Sequence, residues 1–240
     1  MRFHILNVGH GFCAYLMADN GNVIMFDCGH QSDPEFRPSA FLRQRGVSTI
    51  HRLFITNYDE DHISDLPQIR RHLHVQILHR NKTITTDQLR RLKLQGGPIS
   101  PAMKSLLDMM SAYTSPVSHE PPFPRVSWDS FHAQFGTDFD DTNNISLVTF
   151  LQCGNLTVLI PGDLERPGWL YHLQQQRFIE LLAKVDVFVA SHHGRENGYC
   201  QEVFKYCRPA VIVFSDSAIV HGTQETANRY ASHARGTQFN

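Results

Sequence analysis

Short apolar runs separated by turn-forming residues dominate the first part of the chain. The runs RFHILNV, FCAYLM and VIMFDCG are divided by Gly-rich and Asn-Gly segments, which predicts a meander of three strands. The run HRLFIT at 51–56 predicts a buried strand, and apolar residues at helical spacing predict a helix over 63–73. The chain therefore begins as a sheet and continues into helices.

Strands and helices alternate further along the chain. Helical patterns cover 86–94 and 102–110, and a Pro- and Ser-rich stretch at 113–128 predicts a loop. The segment NISLVTFLQCGNLTVLIPGD (144–163) predicts a hairpin, and VDVFVAS (185–191) and PAVIVFSD (209–216) predict two more strands. This order predicts one mixed α/β domain over residues 1–240, with layered sheets.

Composition narrows the classes of protein that this chain can belong to. The 240 residues are 41% hydrophobic and 19% charged, which supports a packed core and excludes a disordered chain. A net charge of -1 gives no global attraction to nucleic acid or to an anionic membrane. Any affinity for a polyanion must therefore come from a local basic patch.

Cysteine usage and hydropathy predict a cytoplasmic protein. The five cysteines are scattered and form no CxxC pair, which favours a reducing compartment over a disulfide framework. The N-terminal stretch is typical of a strand and a turn rather than of a signal peptide. Because no apolar run approaches the roughly 18 residues that a membrane span needs, we expect no such span.

Polar residues of the kind that bind metals follow three of the predicted strands. TNYDEDH follows HRLFI, GD follows LTVLIP, and SHHG follows VDVFVA. Loops at strand ends, held by a rigid scaffold, are where sites are usually built. Carboxylate oxygen and imidazole nitrogen together suit Zn²⁺, Mn²⁺ or Fe²⁺. The candidate ligands are Asp59, Asp61, His62, Asp163 and His192.

Each motif alone has a purely structural interpretation. DEDH is also typical of a solvated helix N-terminus, where acids are favoured by the helix dipole, and PGD is also typical of a turn. SHHG by itself is a weak signal. The three motifs together, each at the end of an apolar strand, favour a metal site over these interpretations.

The same motifs resemble the metallo-β-lactamase-fold hydrolases, whose signature is T-H-x-H-x-D-H, followed by a later Asp and a late His. The resemblance is closer to the hydrolase domain of ComEC-type DNA-uptake proteins. The matching segments are NVGHGF, FDCG, NNISLV, LIPGDLE and HHG. The likeness extends over about residues 2–230. Residues at about 80–130 carry no matching motif, and we expect them to form an insertion of helices and loops.

The resemblance implies an αββα sandwich of two mixed β-sheets flanked by helices, with a metal site at one edge. It also implies specific roles for individual residues. Asp59 would bind a first metal, Asp61 and His62 a second, and His192 would complete the second. Asp163 would bridge both ions, and Asp27 would orient a ligand without contacting metal.

The chain departs from the family pattern at two positions of the site. Asn57 stands where the family usually has His, and an amide oxygen binds transition metals more weakly than imidazole does. Asn143 or Asn144 stands in place of another usual His, which makes Asn144 a candidate for orienting a ligand or contacting substrate. We therefore expect one or two divalent ions, Zn²⁺ or Mn²⁺ or else Mg²⁺, with Asn57 as a weak ligand.

The expected reaction is hydrolysis by a metal-activated water, with a phosphodiesterase or nuclease as the first hypothesis. Asp61 would orient the water, and His193 would protonate the leaving group. A structural hydrogen bond is the alternative for His193. His221, in a faint match to a late family segment, is a further candidate for contacting substrate.

A basic segment follows the acidic motif directly. Residues 70–93 contain seven Arg or Lys and one acid, so this segment could hold a phosphate backbone beside the site. A solvated basic helix face is the alternative. The phosphate-binding candidates are Arg70, Arg71, Arg80 and Lys82.

Two other functions remain open at this stage. The fold that the resemblance implies serves many reactions, so the substrate could be a small ester, thioester or lactone. The Asn at position 57 also allows a metal-binding, non-catalytic subunit of a larger system. We expect nucleic acid or another phosphodiester as substrate, and a partner protein in a multi-component system as a further possibility.

Overall fold

The computed structural model of the chain describes residues 1–218 and 222–237. Its backbone separates into two compact units, Met1–Pro124 and Arg125–Asn240. The boundary falls inside the segment expected to be an insertion, and the single-domain organisation stays a prediction. Each unit contains one five-stranded mixed sheet with helices, which confirms the α/β class.

The sheet of the first unit begins with the predicted meander. Its strand order is β1-β2-β3-β7-β9, with β1, β2 and β3 antiparallel and β3, β7 and β9 parallel. Two short pairs, β4 with β5 and β6 with β8, accompany it. The strands are β1 (Arg2–Ile5), β2 (Ala14–Met17), β3 (Val23–Phe26), β4 (Gln31–Ser32), β5 (Glu35–Phe36), β6 (Thr49–Ile50), β7 (Arg52–Ile55), β8 (His74–Val75) and β9 (Leu78–Arg80).

The first unit has five helices, of which the two longest begin at capping residues. They are α1 (Pro38–Gln44), α2 (Glu60–Ile63), α3 (Leu66–His72), α4 (Thr86–Leu94) and α5 (Pro101–Ala112). Thr85 and Gln88 form a capping box at α4, and Ser100 caps α5. The helix predicted over 63–73 is present over Leu66–His72 but was predicted to begin too early, because Ile63 ends α2 and the chain breaks at Ser64 and Asp65. Asp65 is buried, and its carboxylate accepts from the Ser39 N–H at 2.7 Å.

The second unit has its own mixed sheet, in the order β10-β11-β12-β13-β14. The predicted hairpin is present as β11 and β12, and β12, β13 and β14 run parallel. The loop prediction over 113–128 is wrong at its end, because a strand begins at Val126 and pairs with β11. The strands are β10 (Val126–Phe131), β11 (Val148–Cys153), β12 (Leu156–Ile160), β13 (Val187–Val189) and β14 (Val211–Val213).

Aromatic side chains fill the core of the second unit. Trp169 stacks on Phe188 at 5.9 Å between ring centroids, and Phe131 meets Phe178 edge-on at 5.1 Å. The α-helices are α6 (Arg166–His172), α7 (Gln176–Leu182) and α8 (Ala227–Ala231), and 3₁₀ turns span Ser191–Gly194, Glu196–Gly198, Gln201–Lys205 and Gly222–Gln224. Over residues 1–218 and 222–237, no helix has both the length and the apolar character to cross a membrane.

Candidate metal centre

The acidic loop of the first unit is anchored from within that unit. It follows β7 and leads into α2. Tyr58 is buried, and its hydroxyl donates to the carbonyl of Asn81. The side-chain oxygen of fully buried Asn57 accepts from the backbone N–H of Asp59 at 2.8 Å. These contacts fix the direction in which the carboxylates of the loop point.

A buried carboxylate holds the histidine of this loop. Nδ1 of His62 lies 2.8 Å from Oδ2 of Asp27, and both side chains are almost fully buried. Thr56 holds the same carboxylate, through its N–H at 2.7 Å and through its hydroxyl. Burial raises the pKa of Asp27, and the neighbouring His62 opposes that rise. With its Nδ1 proton donated to Asp27, His62 carries its acceptor lone pair on Nε2.

Two glycine-containing loops contact the backbone of the same turn. The N–H of Phe12 donates to the carbonyl of Asp61 at 3.3 Å, and that of Cys28 donates to the carbonyl of His62 at 2.8 Å. A Cβ added at Gly29 would lie 2.1 Å from the carbonyl oxygen of Asp61. The NVGHGF and FDCG motifs therefore form a close-fitting backbone support for Asp61 and His62.

The neighbouring acids of the loop contact the helical segment that follows. Lys93 on α4 forms an ion pair with the carboxylate of Asp59. Ser100, which caps α5, donates to Glu60 at 2.6 Å. Asp59, which was expected to bind metal, therefore already has a cationic partner in Lys93.

His10 is a candidate functional residue that the sequence analysis did not single out. Its Nε2 lies 3.3 Å from Oδ2 of Asp61, and its side chain is 37% exposed. The available signal was its central position in the NVGHGF motif. His10 is thus an accessible imidazole beside a candidate ligand.

The second unit supplies another carboxylate and two histidines. Asp163 follows β12, and its backbone N–H donates to Oγ of Ser146 at 3.1 Å. Nε2 of His193 lies 3.5 Å from Oδ1 of Asp163, and Nδ1 of His193 lies 2.9 Å from the carbonyl oxygen of Ser215. This carbonyl fixes the imidazole with its proton on Nδ1 and its acceptor lone pair on Nε2.

The two adjacent histidines face different carboxylates. Nδ1 of His192 lies 3.6 Å from Oε1 of Glu165, and burial lowers the pKa of His192. Both histidines have left-handed backbone, with φ of 50° and 58°. Such conformations are costly away from glycine and are often found at functional sites. Ser191 holds the turn by donating to the carbonyl of Leu164 at 2.5 Å.

The structure gives most of the remaining candidates structural contacts. Asn144 is buried, and its side-chain oxygen accepts from the N–H of Gly168 at 2.9 Å. The Arg80 guanidinium donates to the carbonyls of Asn81 and Ile84. Arg70 pairs with Asp108 at 3.4 Å, Arg71 and Lys82 are exposed, and His221 lies outside the described residues.

The donor atoms in each unit fit a divalent cation. Ligand atoms of Asp61 and His62 in the first unit lie within 4.8 Å of one another, and so do those of Asp163 and His193 in the second. Each imidazole is held through Nδ1, which is the usual arrangement for a histidine that binds metal through Nε2. Carboxylate oxygen with imidazole nitrogen suits Zn²⁺ or Mn²⁺.

Comparison with known families gives this site a context. Residues 13–173, more than half of the chain, match the metallo-β-lactamase superfamily. The chain therefore belongs to the metallo-β-lactamase superfamily, which confirms the resemblance and the fold that it implies. Its class is that of the metal-dependent hydrolases of this superfamily.

Individual relatives are distant. ComE operon protein 3 of Bacillus subtilis (strain 168) is 23% identical over 183 residues, which are 73% of this chain and 21% of that protein. The chain thus spans about a fifth of the length of this relative. A mutant of the CmlA β-hydroxylase matches with a TM-score of 0.52 and 14% identity, over 90% of this chain and 46% of that one. A diphosphatase from the PhnP family matches with a TM-score of 0.45 and 12% identity, over 95% and 80%. At 14% identity, the likeness to the CmlA β-hydroxylase mutant concerns the fold alone.

Proposed function

We propose that this protein is a metal-dependent phosphodiesterase, with nuclease activity as the first candidate. Its metal ligands are Asp61 and His62 from the first unit, and Asp163 and His193 from the second. The observation that carries the proposal is that both imidazoles are fixed through Nδ1, His62 by the carboxylate of Asp27 and His193 by the carbonyl of Ser215. Nε2 of His193 lies 3.5 Å from the carboxylate of Asp163. Joint use of both sets of ligands rests on the ligand order that the family resemblance implies.

The geometry of the SHHG turn favours a different ligand from the one that the motif suggested. His193 faces Asp163, whereas His192 faces Glu165. His193 is buried and tied to a backbone carbonyl, which suits a ligand better than a group that must deliver a proton to a leaving group. We therefore propose His193 as ligand and leave His192 to contact substrate or solvent.

The chain's own residues then have distinct tasks in hydrolysis. A bound divalent cation lowers the pKa of water toward neutrality and offsets negative charge on the substrate. Asp27 keeps the imidazole of His62 in one orientation and one tautomer. Asp61 orients the attacking water and accepts its proton. His10, 3.3 Å from Asp61 and partly exposed, then exchanges that proton with solvent.

Charge near the acidic loop favours a phosphodiester among the possible esters. Arg90 and Arg91 are exposed on α4, the same helix from which Lys93 reaches Asp59. Arg90, three residues before Lys93, lies next to it on the helix surface and is better placed to hold phosphate than Arg80, whose guanidinium donates to backbone carbonyls. The resemblance to the hydrolase domain of ComEC-type DNA-uptake proteins supports a nucleic-acid substrate. The match to a ComE operon protein supports a multi-component setting, and both belong to the proposal.

A second candidate is a metal-binding subunit without hydrolytic activity. It is favoured by the ion pair between Asp59 and Lys93, which occupies a carboxylate expected to bind metal. A hydrolase of a small ester, thioester or lactone is the other alternative.

The decisive experiment is hydrolysis by the purified protein with Mn²⁺, Mg²⁺ or Zn²⁺. Substrates are single- and double-stranded DNA and RNA, bis(p-nitrophenyl) phosphate, and p-nitrophenyl acetate. We expect metal-dependent phosphodiester cleavage that Asp163→Asn abolishes and that Asp87→Asn, at an exposed position on α4, preserves. Cleavage of the carboxylic ester alone would move the assignment to small esters. No cleavage of any substrate would favour the non-catalytic subunit.

A further inference from the structure

The ammonium group of Lys93 contacts a carboxylate that the family resemblance implies to be a metal ligand. Lys93 pairs with Asp59, the residue expected to bind the first of two ions. The Lys93 side chain is 21% exposed and the Asp59 side chain 36% exposed, so the pair is partly shielded from solvent. A covalently attached positive charge therefore neutralises this carboxylate.

The other ligand expected for the first ion is also altered. Asn57 replaces the usual imidazole with an amide, a weaker donor for transition metals. It is fully buried, and its oxygen accepts from the N–H of Asp59 at 2.8 Å. The first unit thus offers that ion one carboxylate, already paired with a lysine, and an amide oxygen that shapes the loop.

Lys93 is positioned by a well-anchored helix. The capping box of Thr85 and Gln88 fixes the start of α4, and buried Leu89 anchors its inner face. Just beyond α4, Ser100 donates to Glu60, which holds the following segment against the same acidic loop. Lys82 and Lys104, by contrast, are exposed. The contact of Lys93 with Asp59 thus follows from the way in which α4 is fixed.

We propose that Lys93 takes the place of one of the two metal ions, so that the centre binds a single divalent ion. This inference rests on the proposed function, because it assumes that Asp61, His62, Asp163 and His193 hold the remaining ion. Two like charges cannot share Asp59 without repulsion, so Lys93 disfavours a second cation there.

The test counts ions and does not depend on activity. Wild-type protein is loaded with excess Mn²⁺ or Zn²⁺, desalted, and analysed by inductively coupled plasma mass spectrometry. The same is done for Asn57→His, Lys93→Met and the double variant, with Lys104→Met as a matched control at an exposed lysine. Circular dichroism checks that each variant is folded.

We expect one equivalent in the wild type, in Asn57→His and in Lys104→Met, and two in the double variant. Two equivalents in the wild type would overturn the inference, because Lys93 would then not replace an ion. One equivalent in a folded double variant would overturn it as well. No bound ion in the wild type would instead refute the proposed metal-dependent function, and this inference with it.

Discussion

The two units surround their buried histidines in different ways. In the first, His62 faces the carboxylate of Asp27. In the second, His193 faces a backbone carbonyl, and His172 lies among aromatic rings. A carboxylate increases the basicity of its imidazole partner and stabilises the protonated form, whereas a carbonyl mainly fixes orientation. Similar-looking histidines in this sequence therefore differ in chemistry because of partners that come from distant strands.

The extreme case in the second unit is His172. Its ring stacks on Phe178 with centroids 5.1 Å apart, and Nε2 of Gln175 lies 3.2 Å from its Nδ1. Burial lowers the pKa of His172 to about 4. His172 is thus a neutral member of an aromatic core, and a histidine-rich composition is no guide to which histidines take part in chemistry.

The largest expected effect distinguishes the adjacent histidines of the second unit. His193→Ala should lower metal affinity more than about 100-fold, because removing a ligand costs more than removing a residue that supports one. His192→Ala, the matched control, should lower it less than about 10-fold. Competition with a chromogenic chelator measures both. The opposite order would return the ligand role to His192.

The pH dependence of stability should reveal the neutral state of His172. Between pH 6.5 and about 4 the unfolded chain binds a proton at this imidazole that the folded chain excludes. The stabilisation is therefore fully present above pH 6.5 and is lost as pH falls through this window. The loss amounts to roughly 3 kcal/mol at acidic pH.

Denaturant unfolding of metal-free protein at pH 7.5 and pH 4.5 measures this contribution. His172→Phe should make the difference in unfolding free energy between the two pH values smaller, because Phe cannot titrate in the aromatic core. His119→Phe alters an exposed histidine and should leave that difference unchanged. An unaltered pH dependence in His172→Phe would mean that burial does not hold this imidazole neutral.

Much of the fold follows from local sequence patterns. The three-stranded meander, the 144–163 hairpin and the helix over 86–94 agree closely with the structure. The break before α3 does have a local signal, because Pro67 in the first turn of that helix cannot donate a backbone hydrogen bond to the preceding turn. The contact of Asp65 with Ser39, a residue far away in the sequence, was not predictable in this way. Local patterns also missed β10, because a strand that completes a sheet is stabilised by its neighbour as well as by its own residues.

The candidate site was predictable as a set of residue types but not as a set of contacts. Acids and histidines at strand ends made Asp61, His62 and Asp163 candidate ligands from the sequence, and they remain candidates. The pairing of Lys93 with Asp59 depends on how α4 packs, and the different directions of His192 and His193 depend on left-handed backbone. Tertiary packing of this kind leaves no periodic pattern in the sequence.

A change of one atom in the first unit should show how much the carboxylate partner contributes. In Asp27→Asn, the new amide N–H₂ would face Nδ1 of His62, which favours the tautomer with its proton on Nε2. That nitrogen could then no longer accept a metal, and we expect affinity to fall about 10- to 100-fold. Asp65→Asn is the control, because it changes a buried carboxylate that contacts Ser39 instead. The folded Asp65→Asn variant should keep the metal affinity of the wild type. Equal losses in both variants would assign the effect to general destabilisation.

The smallest expected effect compares the backbone support of the two units. A Cβ at Gly29 would lie 2.1 Å from the carbonyl oxygen of Asp61, and one at Gly198 would lie 2.3 Å from that of Ser191. Gly29→Ala and Gly198→Ala should each lower the free energy of unfolding by about 1–3 kcal/mol, because backbone must move to make room. At Gly96 the added atom has no neighbour closer than 3.6 Å, so Gly96→Ala is the control. Chemical denaturation measures all three. If Gly29→Ala weakens metal binding while Gly198→Ala only destabilises the chain, the first unit depends more strictly on its glycine loops to place the ligands.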